Sequence, residues 1–184
     1  AHGGMGQVWQ AVDMATHAEL GHSAMVALKI LPPQLTQSAT RAKLLVEEAT
    51  DARKLAHEHI VRVYEWARDP ATASYFIIME CIEAEDLDSL LAREGPLPLA
   101  RALELAEPIA DALDYAWERR RLVHRDIKPG NVFVTSKGEV KLLDFGIAAR
   151  VRTSASSSGI EAPASSGTAG YRAPEAGTHQ RTPA

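Results

Sequence analysis

Hydrophobic and polar positions follow one kind of period in the first half of the 184-residue chain and another in the second. Gln7 to Asp13 (QVWQAVD) alternates loosely and reads as a strand. Ala24 to Leu31 (AMVALKIL) is mostly apolar and is stopped by Pro32-Pro33, so it reads as a second strand. The polar stretch Met14 to Ser23, which contains Gly21, would join the two as an antiparallel hairpin with a longish loop. Thr40 to His57 carries Leu44, Leu45, Ala49, Ala52 and Leu55 near helical spacing and predicts an amphipathic helix. Ile60 to Trp66 and Tyr75 to Glu80 read as two more strands around the turn Asp69-Pro70. The second of them is nearly all apolar, as in a strand buried on both faces.

Beyond that point the period becomes helical. Asp86 to Arg93 predicts a short helix ended by Gly95-Pro96. Leu99 to Arg119 predicts a long one, with Leu103, Ala106, Ile109, Ala110, Leu113 and Trp117 as its apolar face. Pro108 inside it should kink the helix or mark an offset start. Val132 to Thr135 and Val140 to Leu143 read as short strands around a turn at Lys137-Gly138. Thr153 to Thr168 is rich in Ser, Gly and Ala without periodicity and is expected to be a flexible loop. Strands and one helix followed mainly by helices and a small hairpin argue an α+β chain of two lobes with a cleft between them.

Composition changes this picture little. The chain is 46% hydrophobic, enough for a core. Its net charge of −4 carries no signature of nucleic acid or of a membrane surface. The run Arg119-Arg120-Arg121 reads as a solvated helix end. One cysteine, Cys81, excludes an internal disulfide and suits a reducing compartment. No apolar run reaches transmembrane length and no signal peptide opens the chain, so no membrane contact is expected from this segment.

The chemistry concentrates in one run. His124 to Asn131 reads H-R-D-I-K-P-G-N, and Asp144-Phe145-Gly146 follows after a short strand. The run brings together a candidate proton acceptor (Asp126), a cation (Lys128) and two candidate magnesium ligands (Asn131, Asp144). Phosphoryl transfer needs these parts: a group that orients the attacking hydroxyl, metal ligands, and positive charge for the phosphate.

The run resembles the catalytic loop and magnesium loop of protein kinases. Other segments carry the same resemblance. A-H-G-G-M-G-Q-V at the start matches the later part of the glycine-rich loop at Gly3, Gly4, Gly6 and Val8, with Ala1 where the first glycine would fall. Val26-Ala27-Leu28-Lys29 resembles the V-A-I-K strand, which implies that Ala27 and Lys29 contact nucleotide. Glu48 matches the helix glutamate that would pair with Lys29 and aim it at the α- and β-phosphates, with Glu47 as the competing choice. In Tyr75 to Leu87 the resemblance implies Met79 at the back of an adenine pocket. It also places the Glu80 carbonyl and Ile82 N–H at the adenine edge and Asp86 on the ribose. Asp86 also reads as a helix N-cap, and both roles can hold at once. His124 would pack on Phe145, and Arg125 would pair with a phosphorylated residue among the hydroxyls of 153–168. Gly167 to Glu175 (GTAGYRAPE) resembles the end of an activation segment, with Thr168 bracing Asp126 and Lys128. Lys128 together with Thr168 is the serine/threonine pattern.

The resemblance implies a two-lobed protein-kinase-like fold. Residues 1–82 would form a small ATP-binding lobe, an antiparallel sheet with one helix. Residues 83–184 would form part of a mainly helical large lobe, with an activation segment at 144–175. It implies a bacterial-type serine/threonine kinase that uses ATP and Mg2+ (or Mn2+). Such an enzyme would act on protein Ser or Thr hydroxyls and self-associate to phosphorylate itself, with no nucleic-acid partner; the resemblance implies a cytoplasmic place for this domain, with a membrane anchor beyond it left open for the longer protein. The alternative is a pseudokinase, a nucleotide-binding or scaffold module without transfer activity. The opening residues look like the middle of a motif and the chain stops soon after A-P-E. A piece of a longer protein is therefore expected, poorly stable and weakly active alone.

Overall fold

The computed structural model describes residues 2–3, 6–14, 24–31, 39–145 and 169–171, without the side chains of 2, 3, 6, 24, 39–42, 44, 45, 48 and 169. The chain divides into two compact units. One holds Ala1–Ala56 with Val61–Glu83, the other His57–Ile60 with Ala84–Ala184.

The first unit contains a five-stranded antiparallel sheet in the order β1-β2-β3-β5-β4 and the helix α1 (Ala39–Ala52). The strands are β1 (His2–Gly3), β2 (Gly6–Asp13), β3 (Ala24–Ile30), β4 (Val63–Arg68) and β5 (Tyr75–Glu80). The central strands are rich in β-branched and aliphatic residues, which suit a pleated, half-buried surface. Ile77 and Met79 on β5 are buried together with Ala49, Ala52 and Leu55, on and just beyond α1.

Two elements end away from their expected limits. The helix expected through His57 stops at Ala52, where its last bonds tighten to Lys54 N–H→Asp51 O and Leu55 N–H→Ala52 O. The residues that follow are captured by the other unit. His57 lies 3.3 Å from the Asp111 carboxylate and Ile60 bridges to Leu142, so β4 begins only at Val63 instead of Ile60. β4 then carries a bulge between Val63 and Glu65.

The second unit has a three-stranded antiparallel sheet, β6 (Ala84–Asp86), β7 (Val132–Thr135) and β8 (Val140–Leu142), with helices α2 (Leu87–Glu94) and α3 (Leu99–Arg120). Asp86 caps α2: its carboxylate accepts from the Ser89 N–H at 3.0 Å and from the Ser89 hydroxyl at 2.8 Å. The β7–β8 turn needs Gly138, whose φ is 84°.

α3 runs without interruption through Pro108, so that proline marks no offset start. The expected apolar face is rotated. Leu105, Ala112 and Ala116 are the buried positions, whereas Leu103, Ala106 and Ala110 are exposed. The helix has apolar residues on more than one side, and packing against β8 chooses the side with two alanines, whose small side chains allow close approach.

Candidate active site

Residues 121–128 cross the second unit without regular structure and end in a 3-10 turn, Pro129–Asn131, that leads into β7. Asp126 is buried, 5% exposed. Its Oδ2 lies 3.2 Å from Lys128 Nζ. Asn131 Nδ2 donates to the Asp126 carbonyl at 2.7 Å and approaches Oδ2 at 3.4 Å. The amide therefore fixes the loop that carries the carboxylate, and the ammonium offsets its charge.

Asp144 reaches this region through the hairpin. Val132 pairs with Leu142, and the Leu143 N–H donates to the Asn131 carbonyl at 2.9 Å. Asp144 is thus one residue beyond a backbone bond to Asn131. Arg125 and Asp144 both have φ of 66°. A left-handed conformation costs a non-glycine residue about 1 kcal/mol or more, so surrounding contacts must hold these two in place.

His124 supplies such contacts on both sides. It is 1% exposed. Its Nδ1 accepts the Asp126 N–H at 3.3 Å, so its Nε2–H donates to the Leu143 carbonyl at 2.7 Å. That pattern requires the neutral ring. Burial holds the imidazole below its usual pKa, against the Leu143 carbonyl and the Asp144 and Asp126 carboxylates, which favour the charged form. The expected packing on Phe145 is present, edge-on with ring centroids 4.9 Å apart.

In the first unit, β-sheet register places Val8 opposite Lys29 and Lys29 opposite Ile77, with Ala27 opposite Met79. Val8, Ala27, Lys29 and Met79 therefore share one face of the sheet. Lys29 is buried. Gly3 and Gly6 pair across the β1–β2 hairpin. At the end of β5, the Glu80 carboxylate accepts the Arg62 N–H at 3.1 Å. The half-buried Ile82 offers an N–H with no hydrogen bond among the described residues.

Ala1, Gly4, Gly146, the loop 153–168 with Thr168, and Glu175 lie outside the described residues, as does the side chain of Glu48. A Lys29–Glu48 pair and a brace from Thr168 thus belong to the reading of the sequence.

One support escaped the sequence reading. His59 Nδ1–H donates to the Val140 carbonyl at 3.0 Å, and the His59 carbonyl accepts the Leu142 N–H at 2.8 Å. The segment His57–Ile60 therefore braces β8, the strand that leads to Asp144. The available signal was a pair of histidines just after a helix, a pattern too common to be read alone.

A buried carboxylate beside an ammonium and an amide, with a second carboxylate delivered by a hairpin, supplies the kinds of group that phosphoryl transfer uses. Comparison with known proteins is consistent with that class. The protein kinase domain family matches residues 2–183. A Corynebacterium efficiens protein named serine/threonine-protein kinases drp72 is 40% identical over 187 aligned residues, covering 100% of this chain and 34% of that protein. The serine/threonine-protein kinase PknA of Mycobacterium tuberculosis is 36% identical over 189 residues, covering 100% of this chain and 41% of PknA. The crystal structure of the Mycobacterium tuberculosis PknI kinase domain superposes with a TM-score of 0.68 at 28% identity, covering 90% of this chain and 65% of that one. The chain belongs to the protein kinase domain family and has its α+β fold. It spans roughly a third to two-fifths of the length of these curated relatives.

Proposed function

We propose that this protein transfers the γ-phosphoryl group of ATP to serine or threonine hydroxyls of proteins, its own activation loop among them. One observation carries the reading: buried Asp126 held by Asn131 and Lys128, with Asp144 one residue from the Leu143–Asn131 bond. The acceptor oxygen forms the new P–O bond as the bond to the β-phosphate oxygen breaks, and Asp126 takes the hydroxyl proton. Lys128 stays beside Asp126 and offsets the charge of the incoming group.

The residues fit the nucleotide and metal. Asn131 is buried, and its Oδ1 accepts no hydrogen bond among the described residues, which leaves an oxygen donor for a hard cation. Mg2+ takes one or two side-chain oxygens and fills its remaining positions with water and phosphate, so Asn131 and Asp144 suffice on the protein side. The Ile82 N–H suits an adenine nitrogen. By the same reading, Gly3, Gly4, Gly6, Val8, Ala27 and the Glu80 carbonyl line the nucleotide, and Asp86 contacts the ribose. Lys29, oriented by Glu48, holds phosphate oxygens, and Thr168 braces Asp126. When bound, Mg2+ neutralises charge on the transferring phosphate. Among the described residues no helix is long and apolar enough to cross a membrane; we assign the domain to the cytoplasm, where ATP is supplied.

The full-length protein, given Mg-ATP and a generic basic protein, is expected to incorporate phosphate on Ser and Thr. Asp126→Asn should lower incorporation by about 100-fold or more. Labelling that does not depend on Asp126, or no labelling at all, would turn the reading toward a nucleotide-binding scaffold.

A further inference from the structure

We propose that His59 is a positioning residue for Asp144: its ring fixes the outer edge of β8 and thereby sets how firmly the candidate metal ligands hold Mg2+. The inference rests on the phosphoryl-transfer reading above. β8 is a three-residue strand at the end of its sheet, paired on one side with β7. In an antiparallel pair, alternate residues turn their N–H and C=O away from the partner strand. The bonds Thr135 N–H→Glu139 O and Leu143 N–H→Asn131 O mark Glu139 and Leu143 as inward. Val140 and Leu142 therefore turn their polar groups outward, although both residues are buried. His59 takes up one group from each. Its carbonyl accepts the Leu142 N–H at 2.8 Å, and its ring donates Nδ1–H to the Val140 carbonyl at 3.0 Å. The first bond is open to any residue at position 59, and the second needs a side-chain donor.

His59 is itself held. His57 Nδ1 accepts the His59 N–H at 3.2 Å, and His57 Nε2 lies 3.3 Å from the Asp111 carboxylate on α3. His59 also borders a cavity of about 840 Å3 whose other wall is α3, at Glu104, Glu107, Pro108 and Asp111. The ring is thus no plug in the core. Removing it widens an opening already present, and the loss falls on the Val140 bond. Downstream, β8 leads through Leu143 to Asp144, whose φ of 66° persists only while its surroundings hold it. Mg2+ demands near-ideal octahedral geometry, so a small displacement of Asp144 from Asn131 weakens its hold. A competing role is that of an ordinary buried hydrogen bond, which acts on stability and leaves the metal requirement alone.

The test uses the full-length protein and three variants. His59→Phe keeps a ring and removes the donor, His59→Ala only widens the cavity, and His59→Asn places an amide N–H where Nδ1–H stands. His59→Phe and His59→Ala are expected to raise the Mg2+ concentration for half-maximal phosphate transfer by roughly threefold to tenfold, below the effect of a group bonded to the ligand itself. The KM for the protein substrate should stay at the wild-type value. His59→Asn should return the Mg2+ requirement to within about twofold of wild type. Binding of a fluorescent ADP, followed by anisotropy with and without Mg2+, reads the same site without turnover. The gain in affinity that Mg2+ brings should shrink in His59→Phe and return in His59→Asn. Wild-type Mg2+ dependence in His59→Phe and His59→Ala, or an Asn variant that behaves like them, overturns the proposal and leaves the kinase reading standing. A lower Tm with unchanged Mg2+ dependence assigns His59 to stability and overturns it as well. Mg2+-dependent ADP binding that follows the donor at position 59, in a wild type that transfers no phosphate, sinks the kinase reading and supports the positioning role.

Discussion

Acidification is expected to destabilise the unit that holds the candidate catalytic loop, and His124 is the residue through which it acts. The native ring is neutral by construction: Nδ1 accepts the Asp126 N–H while Nε2–H donates to the Leu143 carbonyl. A proton on Nδ1 would set a second N–H against that of Asp126 and bury a charge. The folded-state pKa is lowered, with burial as the main cause. The unfolded chain therefore binds the proton first, and stability is complete above the unfolded value of about 6.5. It falls as pH drops below that value toward the lower folded pKa. At 1% exposure little solvent screens the effect, so the slope should approach about 1.4 kcal/mol per pH unit, the weight of one proton. His124→Asn keeps an acceptor for the Asp126 N–H but leaves the Leu143 carbonyl unpaired. It should cost about 1–3 kcal/mol at neutral pH and remove this slope. Urea unfolding midpoints of both proteins, between roughly pH 8 and pH 5, measure the difference. Wild-type stability that rises on acidification would mean that the Asp126 and Asp144 carboxylates outweigh burial. An identical slope in His124→Asn would assign the titration to another group. Either result refutes the argument.

Substitutions at two further positions test the scaffold. Asn131→Ala removes the donor to the Asp126 carbonyl and should cost about 1–3 kcal/mol in urea unfolding, with a raised Mg2+ requirement for phosphate transfer; unchanged values for both would remove Asn131 from the site. Asp86→Ala should lose the α2 cap, about 0.5–2 kcal/mol by thermal unfolding, while Asp86→Ser should keep most of it. If Asp86 also holds ribose, both variants raise the KM for ATP, and a KM that follows stability alone leaves only the cap.

Most elements were legible because local chemistry decides them. The Asp86 cap, the Lys137-Gly138 turn, the β5 run and the β7–β8 hairpin fall where turn residues and period put them. The candidate site was legible for a different reason: Asp126, Lys128 and Asn131 share one short run, and a hairpin brings in Asp144. Legibility failed where one segment serves two units. Ala52 to Val63 looked like the end of a helix and the start of a strand, and His57–Ile60 instead belongs to the unit of β8 and α3.

The sequence by itself determined which chemical groups are present, how far apart they stand along the chain, and the turns that fold them back, since these depend on neighbours a few residues away. Tertiary structure alone decided which side of α3 is buried, that His59 braces β8, and that His124 is held neutral between Asp126 and Leu143. Each of these depends on contacts between segments distant in sequence, where close packing and the need to pair every buried polar group select one arrangement among several that the local pattern allows.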